Sequence, residues 1–163
     1  MIVADAGPLL HLFWVGASSW ALPPHNIDVV SEVWEEVESH APEALQDARL
    51  QRVIAPVPVS QDISRWNLDR GEQAALSYAL AQRGEKDVLV LCDERQARQA
   101  CQELSLPVVG SIGLIVEAFR AGRASLEIAS EALRNLPGAG RLHIKPQLIK
   151  LVLAALEESR RSE

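Results

Sequence analysis

Five consecutive apolar residues, Val88 to Cys92, run straight into two acids, Asp93 and Glu94. A strand that is apolar on both faces must be covered on both, and parallel sheets wrapped by helices supply that cover. The same signature opens the chain, where Ile2-Val3-Ala4 precedes Asp5. Strand and helix signals then alternate along the sequence, as they do when helices sandwich a parallel sheet. Such sheets hold their ligands outside the carboxyl ends of the strands, which is where both acids are expected.

Gly7-Pro8 opens a helix through Leu9, Leu10, Leu12, Phe13 and Trp14 to Gly16, proline being suited to a first helical turn. Ile27 to Val30 is a short apolar piece, and Ser31 is placed to cap a helix from Glu32 to Ser39. A further helix is expected from Pro42 to Gln51. Val53 to Val59 is extended, but Pro56 and Pro58 donate no ladder bonds and confine it to an edge. Asp69-Arg70-Gly71 breaks the chain before a helix from Glu72 to Arg83, which Gly84 ends. Glu94 to Leu104 reads as a helix, Pro107 to Gly110 as a short strand, and Ser111 as the cap of a helix reaching Ala121. Ser125 to Leu136 and Pro146 to Glu158 are amphipathic helices either side of Pro137-Gly138-Ala139-Gly140. The expectation is a three-layer α/β/α domain with a central parallel sheet over residues 1–122. Residues 123–163 would form a C-terminal helical extension packed on it, or a dimer or partner surface.

A chain of 163 residues fits one domain of ordinary size with its own core. The two cysteines, Cys92 and Cys101, belong to no CxxC or Cys/His cluster, so they read as reduced, buried thiols rather than zinc ligands. The N-terminus lacks a basic leader and no apolar run reaches the ~20 residues of a bilayer span, so a cytoplasmic location is expected, with no membrane partner. Net charge is −6, which argues against a protein that coats nucleic acid. Its distribution says more: residues 1–48 hold eight acids and no Lys or Arg, while the remainder is +2. Divalent cations bound at the acidic end would offset it and leave Arg95, Arg98, Arg120 and Arg123 able to meet phosphates.

Four places then supply acids to one end of the fold: Asp5, Glu36, Glu72 and the pair Asp93-Glu94. In the helix after Ser31, Val30, Val33, Trp34 and Val37 form one stripe; Glu32 and Glu35 fall opposite it, and Glu36 and Glu38 on its flanks. Glu72 lies within the stripe of Leu76, Ala79 and Leu80, at a helix start where the macrodipole favours negative charge. Any one of these acids can serve as a helix cap. Together they repel unless a cation neutralises them or some stay protonated, and a divalent-metal site is the economical reading. Carboxylates without His or Cys suit Mg²⁺ or Mn²⁺. Trp14 and Trp34 fit core positions, while Trp20 and Trp66 sit near loops and suit an interface. His11, His25, His40 and His143 share no motif and receive no role.

Ile2 to Leu10, Val29 to Val37, Gly71 to Leu76, Leu89 to Arg98, Val109 to Gly113 and Leu136 to Ile144 occur in the order of a known family. On these segments the chain resembles PIN-domain proteins, in particular small prokaryotic VapC-like ribonucleases with an N-terminal Asp-x-x-Pro-Leu motif. The resemblance implies a Mg²⁺- or Mn²⁺-dependent endoribonuclease, the toxin of a toxin–antitoxin pair, with RNA as substrate, an antitoxin as partner and a homodimeric state. Carried over by motif, Asp5, Glu36, Glu72 and Asp93 would be the acidic quartet and Glu94 a fifth ligand. Arg95 and Arg98 would grip the substrate backbone, and Ser111 would bond a ligand carboxylate or cap its helix, the cap being preferred. Two positions depart from the family: Ala6 replaces a hydroxyl residue after the first Asp, and Cys92 replaces a Thr before the last.

Two rivals are weighed against this. A phosphoacceptor receiver domain needs paired acids after its first strand and a Lys after its last, but Asp5 stands alone and Val108 to Ser111 holds no Lys. The other is a catalytically silent PIN-like module that acts by binding protein.

Overall fold

The computed structural model describes residues 1–54 and 59–161. Its centre is a five-stranded, all-parallel sheet of order β3-β2-β1-β4-β5. The strands are β1 (Ile2–Ala4), β2 (Ile27–Val30), β3 (Leu50–Val53), β4 (Leu89–Leu91) and β5 (Val108–Val109). Helices α1 (Ala6–Trp14), α2 (Ser18–Ala21), α3 (Ser31–His40), α4 (Gln61–Ser64) and α5 (Arg70–Gln82) alternate with them, followed by α6 (Arg95–Glu103) and α7 (Ser111–Arg120). Two more, α8 (Leu126–Asn135) and α9 (Pro146–Arg161), come after them. The arrangement is the expected three-layer α/β/α fold.

The first strand in sequence is the middle strand of the sheet. Ile2, Val3 and Ala4 pair with Leu89, Val90 and Leu91 on one side, and Ile2 and Val3 with Ile27 and Asp28 on the other. Val3, Ala4, Val90 and Leu91 are wholly buried, as residues covered on both faces must be. In α3 the stripe of Val33 and Val37 is buried while Trp34 is only half-buried. Trp14, placed in the core by its spacing, is half-buried as well.

The residues gather into two compact units. One holds residues 1–10 and 24–111, and so the whole sheet; the other holds 11–23 and 112–163. In the second unit α8 packs on α9, and Arg160 reaches Glu127 at 3.1 Å.

Two local expectations need correction. The helix foreseen from Pro42 to Gln51 is a 3₁₀ turn, Pro42–Gln46, and Leu50–Val53 is the edge strand β3. Gln51 and Arg52 are exposed there, so this strand shows little apolar pattern, as suits an edge that must not attract other chains. Of the extended stretch expected over Val53–Val59, residues 55–58 lie outside the described residues. Ser31 does not cap α3: its hydroxyl lies 3.4 Å from the Val53 carbonyl and accepts from Arg52 at 3.3 Å. The short helices α2 and α4 were not foreseen.

Candidate active site

Asp5 continues the central strand, its N–H donating to the Leu91 carbonyl at 2.9 Å. Its side chain therefore leaves the sheet at the carboxyl end, and only 5% of the residue is exposed. The Ala6 N–H and the Cys92 thiol, 3.6 Å from Oδ2, donate to the carboxylate. They do not offset its surroundings. Burial, and then the charges of Glu72, Asp69 and Glu36, push its pKa up to about 8.

Glu72 is the second buried acid, also 5% exposed. It sits in the first turn of α5 because Asp69-x-x-Glu72 forms a reciprocal capping box. Asp69 Oδ1 accepts from the Glu72 N–H at 2.8 Å, and Glu72 Oε2 accepts from the Asp69 N–H at 2.9 Å. Burial pushes its pKa up to about 7, with Asp69, Glu94 and Glu36 adding repulsion and the Asp69 N–H pulling it down. The sequence placed Glu72 on the apolar stripe, and that is where it lies.

Glu36 reaches this place from α3. Its Oε2 lies over Gly71, 3.0 Å from where a β-carbon would stand, with Val33 Cγ2 at 3.3 Å and Asp69 Oδ1 at 3.4 Å. A residue without a side chain at the second position of α5 makes room for the carboxylate. Burial and the Asp69 charge raise the Glu36 pKa, and His40 draws it down. Glu38, its rival by sequence, is exposed, as is Glu35, which pairs with Arg52 at 3.2 Å.

Asp93 ends β4 and faces differently. Its Oδ1 accepts from the Ser111 N–H at 2.7 Å and its Oδ2 from the Ser111 hydroxyl at 2.5 Å. Ser111 is fully buried, so its hydroxyl serves this carboxylate rather than capping its own helix. Gly110 makes room here, since a β-carbon on it would come within 2.5 Å of Asp93 Oδ1. Glu94 is exposed and bears on Glu72 through its charge. The structure thus brings Asp5, Glu36, Glu72 and Glu94 into one electrostatic neighbourhood and turns Asp93 toward Gly110 and Ser111.

Asp69 belongs to the same neighbourhood, and sequence reading passed it over as part of a chain break. Its signal was the capping-box spacing to Glu72. Among the arginines, Arg98 donates to the Cys92 carbonyl at 2.9 Å, and Arg123 to the carbonyls of Trp20 and Leu22 at 2.7 and 2.8 Å. Arg120 pairs with Glu117, and Arg95 is exposed at the start of α6. Burial, with Asp5 beside it, holds the Cys92 thiol neutral, far above its ordinary pKa.

Chemically this is a cluster of acids whose surroundings resist negative charge. Protons or a cation relieve it. Among the described residues, no three His, Cys, Asp or Glu side chains converge closely enough to hold an ion jointly. No described helix is long and apolar enough to cross a membrane. A family model described as PIN domain matches residues 1–158. Neither the curated proteins nor the solved structures give a match.

Proposed function

The chain belongs to the PIN-domain family, a nuclease fold, and on that premise we propose that it is a divalent-metal-dependent ribonuclease that hydrolyses RNA phosphodiesters. The observation that carries the reading is Asp5, a buried carboxylate at the end of the central strand, whose charge is opposed by burial and by three nearby acids. At neutral pH such a group is relieved by a proton or by a cation. The donor chemistry fits a hard ion, because the neighbourhood offers carboxylate oxygens and burial holds the thiols of Cys92 and Cys101 neutral. Mg²⁺ keeps several waters and takes one or two carboxylates directly, so it does not demand a three-carboxylate cage.

Asp5, Glu36, Glu72 and Asp93 are the proposed catalytic quartet holding Mg²⁺ or Mn²⁺, with Glu94 as a fifth donor. When bound, the ion supplies a water of lowered pKa and neutralises charge on the phosphate. The chain's own groups position the donors. The Ala6 N–H and Cys92 thiol hold Asp5, the Asp69 N–H fixes one oxygen of Glu72, and Ser111 fixes both oxygens of Asp93. Arg95 is the proposed contact to the RNA backbone, while Arg98 and Ser111 act through Cys92 and Asp93. Residues 1–122 are the proposed nuclease domain and 123–163 its helical extension. The wider proposal is a cytoplasmic homodimer acting as the toxin of a toxin–antitoxin pair; a neighbouring reading frame coding for a small antitoxin would be its sign.

Cleavage of a labelled RNA with Mn²⁺ tests the reading. Asp5→Asn should lower the rate by about 100-fold or more, the scale on which metal sites respond to loss of a ligating group or its support. Equal background from both proteins would favour the second reading, a silent PIN-like module acting by protein binding. That reading draws on the lack, among the described residues, of three converging metal-ligating side chains, and on Ala6 and Cys92.

A further inference from the structure

Residues 132–156 contain no acid and hold Arg134, Arg141, Lys145 and Lys150, in a chain whose net charge is −6. The middle of this stretch, the loop between α8 and α9, is tightly built. The Gly140 N–H donates to the Asn135 carbonyl at 3.0 Å, the Arg141 N–H to Gly138 at 3.0 Å and the Leu142 N–H to Leu136 at 2.9 Å. Gly140 is indispensable to the turn, since a β-carbon there would stand 2.7 Å from the Leu136 carbonyl oxygen.

The turn throws Arg141 into the left-handed region, φ 56°, a conformation that costs a residue bearing a side chain and is concentrated at functional places. Arg141 lays its guanidinium on Trp14, with the central carbon 4.6 Å from the ring centroid. The residue is exposed, and none of the described ion pairs includes it. Beside it opens a cleft of about 520 Å³ lined by Pro137, Gly138, Arg141, Leu142, His143 and Ile144. His143 is exposed, as is Lys145, the next residue but one along the chain.

We infer that this loop binds the backbone of single-stranded RNA, with Arg141 as the phosphate contact, Lys145 as a second cation and the cleft taking a base or ribose. A guanidinium held over an indole ring offers its N–H donors in a planar fork, the shape that matches phosphate. The apolar walls of Pro137, Leu142 and Ile144 suit the face of a base, which only an unpaired strand can offer. An acidic peptide would use the cations but leave those walls without a counterpart. The inference rests on the ribonuclease reading, to which it adds a substrate-gripping site in the second unit.

The test is fluorescence anisotropy of a short fluorescein-labelled single-stranded RNA against the full chain carrying Asp5→Asn, so that binding is read without cleavage. Adding Arg141→Ala should weaken binding roughly 3- to 10-fold and make the log–log salt dependence shallower by about 1, as loss of one phosphate contact does. Lys145→Ala, at an exposed side chain with no part in the turn, should weaken it less and in the same direction. Unchanged affinity and salt slope in both variants would overturn the inference. So would variants that lose binding of a polyglutamate probe while binding RNA as before, which would make the surface one for acidic protein. If the wild-type chain cleaves nothing with Mn²⁺ yet both variants bind RNA more weakly, the ribonuclease reading falls and the RNA site stands.

Discussion

Strands β1 and β4 lie side by side and each ends in an aspartate, yet their carboxylates have opposite lives. Asp93 is met by an N–H and a hydroxyl from Ser111, one donor for each oxygen. Asp5 is met by the Ala6 N–H and a thiol at 3.6 Å, and is crowded by Glu72, Asp69 and Glu36. A carboxylate with a donor for each oxygen is fixed in place, whereas a buried one facing its own kind stores unfavourable energy that a bound cation or proton can release. Position at a strand end is shared by both. Partners make the difference.

The comparison is sharpened most by pH. Asp5 and Glu72 hold protons in the folded state up to about 8 and about 7, while in the unfolded chain they release them in the ordinary carboxylate range. Between those limits the folded state binds more protons, so stability should fall as pH rises from about 4 to about 8, by a few kcal/mol in order of magnitude. Urea midpoints across that range should show the fall, and Asp5→Asn should flatten it. A slope untouched by Asp5→Asn would break the contrast. Next come the two glycines that make room for carboxylates. Gly110→Ala drives a β-carbon to 2.5 Å from Asp93 Oδ1 and 3.2 Å from the Cys92 carbonyl, and should cost about 1–3 kcal/mol in urea unfolding. Gly71→Ala first meets the mobile end of Glu36, so it should cost under about 1 kcal/mol while displacing that carboxylate.

Ser111→Ala should destabilise by about 1–2 kcal/mol, since it leaves Asp93 Oδ2 without its hydroxyl donor. The smallest effect is expected from Cys92→Thr. A hydroxyl in place of the thiol is a better donor to a charged Asp5, so the midpoint of the pH dependence should move down by less than about 1 unit. A midpoint that stays put would mean that the thiol–carboxylate contact has no bearing on Asp5.

The sheet was legible wherever a strand is buried on both faces, because Ile2–Ala4 and Leu89–Leu91 have no polar residue to blur them. It was illegible at β3, where Gln51 and Arg52 face water and pairing on one side alone sets the strand. Among the acids, Glu72 could be placed because a helix fixes direction at 3.6 residues per turn. Asp93 and Glu94 could not be separated, since they occupy the connection from β4 into α6, where no regular period decides which way a side chain points. Ser111 was assigned to its own helix because short-range caps are the default reading of a serine before an apolar run. Its true partner is eighteen residues away in sequence. Asp69 was visible as a capping-box residue, but its place beside Glu36 depends on how α3 lies on α5.

The sequence distance between the two central strands has a consequence during synthesis. Ile2 to Ala4 leave the ribosome well before Leu89 to Leu91, and one of their two flanks stays open until the later strand has been translated. A pairing that spans so much of the sequence closes slowly, and the intervening chain waits with an unmated apolar ribbon. Until the sheet closes, Asp5 is an ordinary solvated acid. The tension that sets it apart arises only when the nascent polypeptide completes its last central pairing.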